Sequence, residues 1–278
     1  MLSQLGDEAK LLAGGQSLIP LMKLRFANPQ HLIDLNFVGG VSYIKEEAGA
    51  LRLGAMTRHA EIENSALVAK NPILHDCAAG IADVQVRNRG TIGGSVAEAD
   101  PSGDWATVLL TQNTEVRCLG LQGERTVPLA DFIQDAYTTV LSHDELVTEI
   151  TVKTPGKGSG GAYLAFKRSA PVYPTASAAV QLNVQGDICT DAAIRLGCVA
   201  LVPVDAKEAA AALRGQKITD KTISNAMEAA SAAADPQPDM RGSADYKRRL
   251  VAALVKRAIA VAVRRAKGEA VEVNHIYA

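Results

Sequence analysis

The sequence predicts an α+β protein of two domains, on three observations. The first half mixes short apolar runs of strand length with helical patterns and is punctuated by glycine pairs. A stretch with four glycines and a proline, "TPGKGSGG" from Thr154 to Gly161, then interrupts the chain as a linker. Beyond it, three runs of strand character precede three helical patterns.

Each element has its own warrant. "LGDEAKLLAGG" reads as a helix end or short strand arriving at a glycine turn. "SLIPLMKLRFANP" starts a helix near Pro20, since a first turn tolerates proline. "HLIDL" reads as a short buried strand, and "LRLGAM" as another after the turn at Gly49. "TRHAEIENSALVAKN" reads as a helix capped by Thr57, with Glu61 near its start and Ala60, Ile62, Ala66 and Leu67 on one face. "PILHDCAAGIAD" is a second helix, running into the polar stretch "VQVRNRG". "DPSGDWATVLLTQ" predicts a short helix, and "TEVRCL" and "ELVTEITV" predict strands. Past the linker, "AYLAFKRS", "ASAAVQLNV" and "ICTDAAIRLGCV" form an antiparallel set, with "QGD" (Gln185 to Asp187) a hairpin turn. The helices are "VDAKEAAAALRG", "TDKTISNAMEAASAAAD" and "SADYKRRLVAALVKRAIAVAVRRAKG", the last capped by Ser243 and stopped by Gly268.

Composition narrows the function. A net charge of −1 recruits neither nucleic acid nor an anionic membrane. The N-terminus has acids where a signal peptide has a basic start, and no run reaches the roughly 20 apolar residues of a membrane span. The most apolar helix is broken by Lys256, Arg257, Arg264 and Arg265, so the cytoplasm is the expected location. Arg257, Arg264 and Arg265 fall on one face of that helix, read as solvated, with a subunit contact as the alternative. Cys77, Cys118, Cys189 and Cys198 form no C-x-x-C pair and read as buried small hydrophobes. His31, His59, His75, His143 and His275 are scattered, with no nucleophile elbow to join. Glu98, Asp100 and Asp104 cluster in "EADPSGD" without a second ligand group, so no metal site is expected.

Two glycine turns carry the chemistry: "AGGQSL", with Gly14 and Gly15, and "GTIGGS", with Gly93 and Gly94. A glycine pair entering a helix exposes backbone N–H groups where the helix also carries partial positive charge, which suits a phosphate. Ser17, Thr91 and Ser95 can add hydroxyl donors. The first turn lacks the Lys-Ser/Thr end of a P-loop, and the second is G-x-x-G-G rather than G-x-G-x-x-G. Two such turns facing one another suit a pyrophosphate gripped from both sides, and hence a dinucleotide. On their own residues, Asp104 also reads as a helix-start residue, Lys167 as a solvated strand residue, Tyr173 as a packed aromatic, and Ile81 and Val147 as core.

"AGGQSLIPLMKLR", "GTIGGSVAEADPSGDW" and "AFKRSAPVYPTAS" together resemble the FAD-binding medium subunit of the carbon monoxide dehydrogenase / xanthine dehydrogenase family of molybdenum hydroxylases, over essentially the whole chain. The resemblance implies an FAD-binding domain of the PCMH/vanillyl-alcohol-oxidase-like kind over residues 1–155, in two α/β subdomains split near 36–40. A C-terminal flavoprotein domain of three antiparallel strands and helices follows over 156–278. Ala13, Gly14, Gly15, Gln16, Ser17 and Leu18 would form the first pyrophosphate loop, and Thr91, Ile92, Gly93, Gly94 and Ser95 the second. Ser95 stands where many relatives have Asn. Asp104 would accept hydrogen bonds from the adenosine ribose, and Ile81 and Val147 would wall the flavin or adenine. Lys167 would sit near the isoalloxazine to stabilise a reduced, negatively charged flavin, and Tyr173 would control access to the ring. Family members usually carry an early strand and helix ahead of the first loop, so this chain is expected to start late or to have that element unrecorded. The cysteine-bearing loop of relatives that reduce aromatic thioesters has no counterpart here.

The expected role follows from the resemblance. A small subunit would carry [2Fe-2S] clusters and a large one molybdopterin, in a dimer of heterotrimers. Electrons from the substrate would pass through the clusters to FAD in this chain and on to an external acceptor, and no residue here need be a general acid or base. A free-standing FAD-dependent reductase, or a scaffold subunit without flavin, are the alternatives.

Overall fold

The computed structural model describes residues 1–273 and the backbone of Ile276 and Tyr277; His275 lies outside the described residues. Near the N-terminus the strand Ala9–Leu12 pairs in parallel with His31–Asp34. The chain between them turns at Gly14 and Gly15 and forms the helix Leu18–Lys23. Pro20 falls in the first turn, where its missing N–H removes no helical bond. Gly15 has φ of 77°, a conformation in which a side chain would be strained.

The next unit is a five-stranded antiparallel sheet, in the spatial order Ile44–Glu47, Ala50–Gly54, Leu146–Lys153, Glu115–Gly120 and Gly123–Pro128. Helices Pro72–Gly80, Ile92–Glu98 and Asp104–Leu109 contribute to the core that covers it. Leu53, Ile73, Leu74, Val108 and Ile150 in that core are fully buried. Two expectations change here. Thr57 does not cap a long helix: its hydroxyl accepts from Tyr43 N–H at 3.1 Å and donates to the Tyr43 carbonyl at 2.9 Å. The helix is only His59–Glu63, and Glu61 accepts from Arg58 N–H at 2.7 Å. The polar run after Asp83 is itself the helix Val84–Arg89, because the Asp83 carboxylate accepts from Val86 N–H at 2.9 Å and caps it.

The C-terminal part is built on long strands Ser159–Lys167, Ala176–Gln185 and Ile188–Gly197, antiparallel in that order, within a six-stranded sheet extended by short strands. Gly186 and Asp187 make the hairpin turn, with Gly186 at φ 60°. Helices Lys207–Ala211, Asp220–Ala233 and Ala244–Ala266 cover one face. Ser243 caps the last by accepting from Tyr246 N–H at 3.2 Å, and Gly268 follows it at φ 89°. The expected linker ends sooner than its glycines suggest. Gly160 and Gly161 are already strand, and a Cβ on Gly160 would overlap the Ala262 carbonyl of the long helix. Glycine there lets helix and sheet approach closely.

The strand Ser159–Lys167 serves two cores, because successive side chains leave a strand on opposite faces. Ala162 and Leu164 join the alanine-rich core under the long helices. Tyr163 and Ala165 join the core of the five-stranded sheet. The expectation of a solvated arginine face fails at Arg265. Its side chain is only 6% exposed and donates to both Asp76 carboxylate oxygens, at 2.6 and 2.9 Å, tying the last helix to Pro72–Gly80. A carboxylate held on a neighbouring helix makes burial of the guanidinium tolerable.

Candidate functional site

The parallel strand pair, the helices after it and the C-terminal sheet enclose a cleft of about 280 Å³. Residues 13–18, the first glycine turn, form one wall, and Thr91, Gly94 and Ser95 stand on the other. Ile81, Asp104, Lys167 and Tyr173 complete the set of expected residues on its lining. Ile92, Gly93 and Val147 are elsewhere. Ile92 is fully buried, and Val147 pairs with Cys118 inside the sheet core. Gly93 packs on the turn that follows the strand Ala50–Gly54, where a Cβ would overlap that of Ala55. The two turns do meet: a Cβ on Gly14 would lie 2.7 Å from the Gly90 Cα and would overlap the Arg89 carbonyl.

Their backbones differ in what they can offer. In the first turn, the N–H groups of residues 14–18 donate to no acceptor among the described residues. Five adjacent donors are therefore available to an anionic ligand. The second glycine pair is not a turn before a helix, as expected, but its first turn, Ile92–Glu98. There Ile92 N–H donates to the Thr57 carbonyl at 3.1 Å and Gly93 N–H to Ala55 at 2.9 Å. Gly94 N–H donates to the Thr91 hydroxyl oxygen at 3.1 Å, and Ser95 N–H to the Thr91 carbonyl at 3.0 Å. On this wall the amides of the helix's first turn are spent.

The tripeptide Thr57, Arg58, His59 braces the cleft, and sequence reasoning passed it over. The Arg58 guanidinium donates to the Arg89 carbonyl and to the Asn36 side-chain oxygen. Asn36 in turn donates to the Ala13 carbonyl at 3.1 Å. One arginine thus links the first turn to the segment leading into the second. His59 N–H donates to the Gly90 carbonyl at 3.1 Å, and its ring, only 5% exposed, lines the cleft. Its Nδ1 accepts from Trp105 Nε1–H at 3.1 Å. Burial, with Arg58 and Arg87 nearby, takes its pKa down to about 3. The signal in the sequence was "TRHAE" read with "GDW": one histidine of five and the lone tryptophan, far apart in the chain and bonded in the fold.

Strand parity brings Lys167 in. It lies on the same face as Tyr163 and Ala165, is 1% exposed, and donates to the Gly80 carbonyl. An ammonium has three donors, so two remain for a ligand. Asp104, 6% exposed, accepts from the Tyr163 hydroxyl at 2.5 Å through Oδ1, while Oδ2 has no partner among the described residues. At the mouth, Tyr173 is 44% exposed and the Arg241 guanidinium stands 5.9 Å from its ring centre. Burial and the neighbouring Asp100 carboxylate push the Tyr173 phenol far above its usual range. Glu98 and Asp100 also line this end, and burial followed by Asp100 raises the Glu98 carboxyl. Amide donors on one wall, a buried cation and a half-used carboxylate fit a molecule that is anionic in one part and rich in hydroxyls in another. Among the described residues no cluster has the makings of a metal site, and no helix is long and apolar enough to cross a membrane.

Residues 1–155 match the family described as the FAD binding domain in molybdopterin dehydrogenase, and residues 161–262 match the CO dehydrogenase flavoprotein C-terminal domain. The carbon monoxide dehydrogenase medium chain of Afipia carboxidovorans is 40% identical over 268 residues, 96% of this chain and 93% of that one. The 6-hydroxypseudooxynicotine dehydrogenase complex subunit alpha of Paenarthrobacter nicotinovorans is 36% identical over 278 residues, covering 99% of this chain and 94% of its own. Among solved structures, a carbon monoxide dehydrogenase from Hydrogenophaga pseudoflava lacking the Mo-pyranopterin moiety of its cofactor superimposes with a TM-score of 0.92. That match is at 41% identity over 95% of this chain and 92% of the other. The chain belongs to the family of FAD-binding medium subunits of molybdenum hydroxylases.

Proposed function

We propose that this chain carries FAD between an iron–sulfur subunit and an external electron acceptor, in a complex that oxidises its substrate at molybdenum in another subunit. The observation that supports this most is the row of five unused amides in the first glycine turn, beside a cleft that also holds Asp104 and Lys167. Bound there, FAD would supply a redox centre able to accept electrons singly and release them singly or in pairs.

In this reading the amides of residues 14–18 hold the pyrophosphate, each bond to a charged oxygen contributing roughly 1.5–3 kcal/mol. Asp104 orients ribose hydroxyls through Oδ2, with Tyr163 fixing the carboxylate. Lys167 holds positive charge near the isoalloxazine, Ile81 packs on a ring face, and Tyr173 controls access at the mouth. Thr91, Gly94 and Ser95 shape the second wall, while Ile92 and Gly93 support it from behind and Val147 acts only through the core. The reading divides the chain into the FAD-binding domain, 1–155, and the C-terminal domain, 156–278. Its partners are a small subunit with [2Fe-2S] clusters and a large one with molybdopterin, in a cytoplasmic dimer of heterotrimers. The relatives' substrates, carbon monoxide and 6-hydroxypseudooxynicotine among them, differ while this fold stays the same. That agrees with substrate choice residing in another chain.

The test is the visible spectrum of the purified chain, alone and with its co-purifying partners. The reading expects flavin absorbance, retained or restored on adding FAD, and co-purification with iron–sulfur and molybdenum subunits. A preparation that stays colourless after FAD addition overturns it. A yellow chain that purifies without partners and reduces a small molecule with a nicotinamide cofactor would favour a free-standing reductase instead.

A further inference from the structure

The second wall of the cleft has spent its helical amides, so side chains there gain importance as donors to a ligand. His59 is placed to do so. Indole N–H can only donate, so the bond from Trp105 fixes the lone pair of His59 on Nδ1, and the ring proton of the neutral imidazole sits on Nε2. The burial that drives His59 down to about pKa 3 keeps it neutral at physiological pH. Nε2 has no hydrogen-bond partner among the described residues, although the ring lines the cleft.

Glycine at position 90 keeps that nitrogen uncovered. A Cβ there would stand 2.7 Å from both Nε2 and Cδ2 of His59. On its other side, Gly90 touches Gly14, the start of the row of free amides. His59 therefore stands beside the turn read above as the pyrophosphate loop, on the opposite wall. We infer that His59 donates its Nε2–H to an acceptor atom of the ADP half of the bound dinucleotide, completing the grip that the second glycine turn no longer makes. This rests on the FAD reading above and adds a residue to it.

The experiment uses the full chain stripped of flavin and titrated with FAD, with ADP as competitor. His59→Phe should weaken FAD by about tenfold or more, the loss of one bond to a charged or strongly polar acceptor, and ADP by a similar factor. His59→Gln, which keeps an amide donor in reach, should recover part of the loss, and Gly90→Ala should reproduce it by covering the nitrogen. If the parent chain binds FAD and His59→Phe binds it equally tightly, His59 is a core residue only and the inference fails. A loss for FAD but none for ADP overturns the assignment to the ADP half. If the parent binds no FAD, the reading of the site fails instead. Should His59→Phe not fold, ¹⁵N spectra of the parent chain decide. FAD should shift the His59 Nε2–H signal and slow its exchange, while Trp105, the single tryptophan, supplies a well-resolved indole reference for the Nδ1 side. An unchanged Nε2–H signal on saturation with FAD overturns the inference.

Discussion

Two glycine pairs that look alike in the sequence have opposite uses in the fold. Gly14 and Gly15 open a turn whose five successive amides bond to nothing in the described protein. Gly93 and Gly94 sit inside a helix whose first four amides are all satisfied, by Ala55, Thr57 and Thr91. Gly15 is glycine because its φ is 77°, while Gly93 is glycine because Ala55 leaves no room for a side chain. A glycine pair beside a hydroxyl residue thus marks close backbone approach. Whether what approaches is a ligand or the protein itself depends on where the neighbouring carbonyls lie.

The comparison breaks most sharply at Gly14. Replacing it with alanine drives a Cβ into the Arg89 carbonyl, so the turn must move. The expected cost is about a hundredfold in FAD affinity, one to two charge-assisted bonds, measured by flavin titration of the apoprotein. Gly93→Ala should act on the other quantity. Overpacking against Ala55 should destabilise the chain by about 1–3 kcal/mol in urea unfolding, with FAD affinity of the folded fraction changed less than threefold or so. Equal effects of both substitutions on FAD affinity would mean that the two turns share one role.

His59, beneath Gly90, makes the contrast pH-dependent. Its folded pKa of about 3 lies below the unfolded value of about 6.5, so between those limits the unfolded chain binds more protons. Stability should therefore fall as pH falls from about 6.5 towards 3, by up to about 1.4 kcal/mol per unit from this group, and His59→Phe should remove that component of the slope. Denaturant midpoints across that range measure it, and an identical slope in the variant would show that His59 is protonated in the folded chain. The smallest effect belongs to Thr91, whose hydroxyl caps the helix Ile92–Glu98. Thr91→Ala should cost about 1 kcal/mol of stability and Thr91→Ser much less, with guanidinium unfolding as the readout.

Much of the site was legible because local chemistry marks it. The free turn was singled out by its glycines, Asp104 and Lys167 only by the resemblance their motifs carry, and all line one cleft. Val147 was not separable from core by any local signal, since an apolar residue in a strand reads the same whether it faces a ligand or a sheet interior. Arg265 misled for the complementary reason. Helical periodicity placed it on a charged face, but its partner Asp76 lies in another helix far away in the chain. His59 was one of several scattered histidines until Trp105 reached it.

The sequence alone determined the hairpin at Gly186, the cap at Ser243 and the stop at Gly268. These rest on backbone conformations and bonds made within a few residues. The tertiary structure decided which glycine amides remain free, which face of Ser159–Lys167 meets the cleft, and which imidazole nitrogen Trp105 leaves without a partner. Those depend on acceptors and neighbours brought from distant parts of the chain, and no local pattern of residues encodes a carbonyl that arrives from another strand.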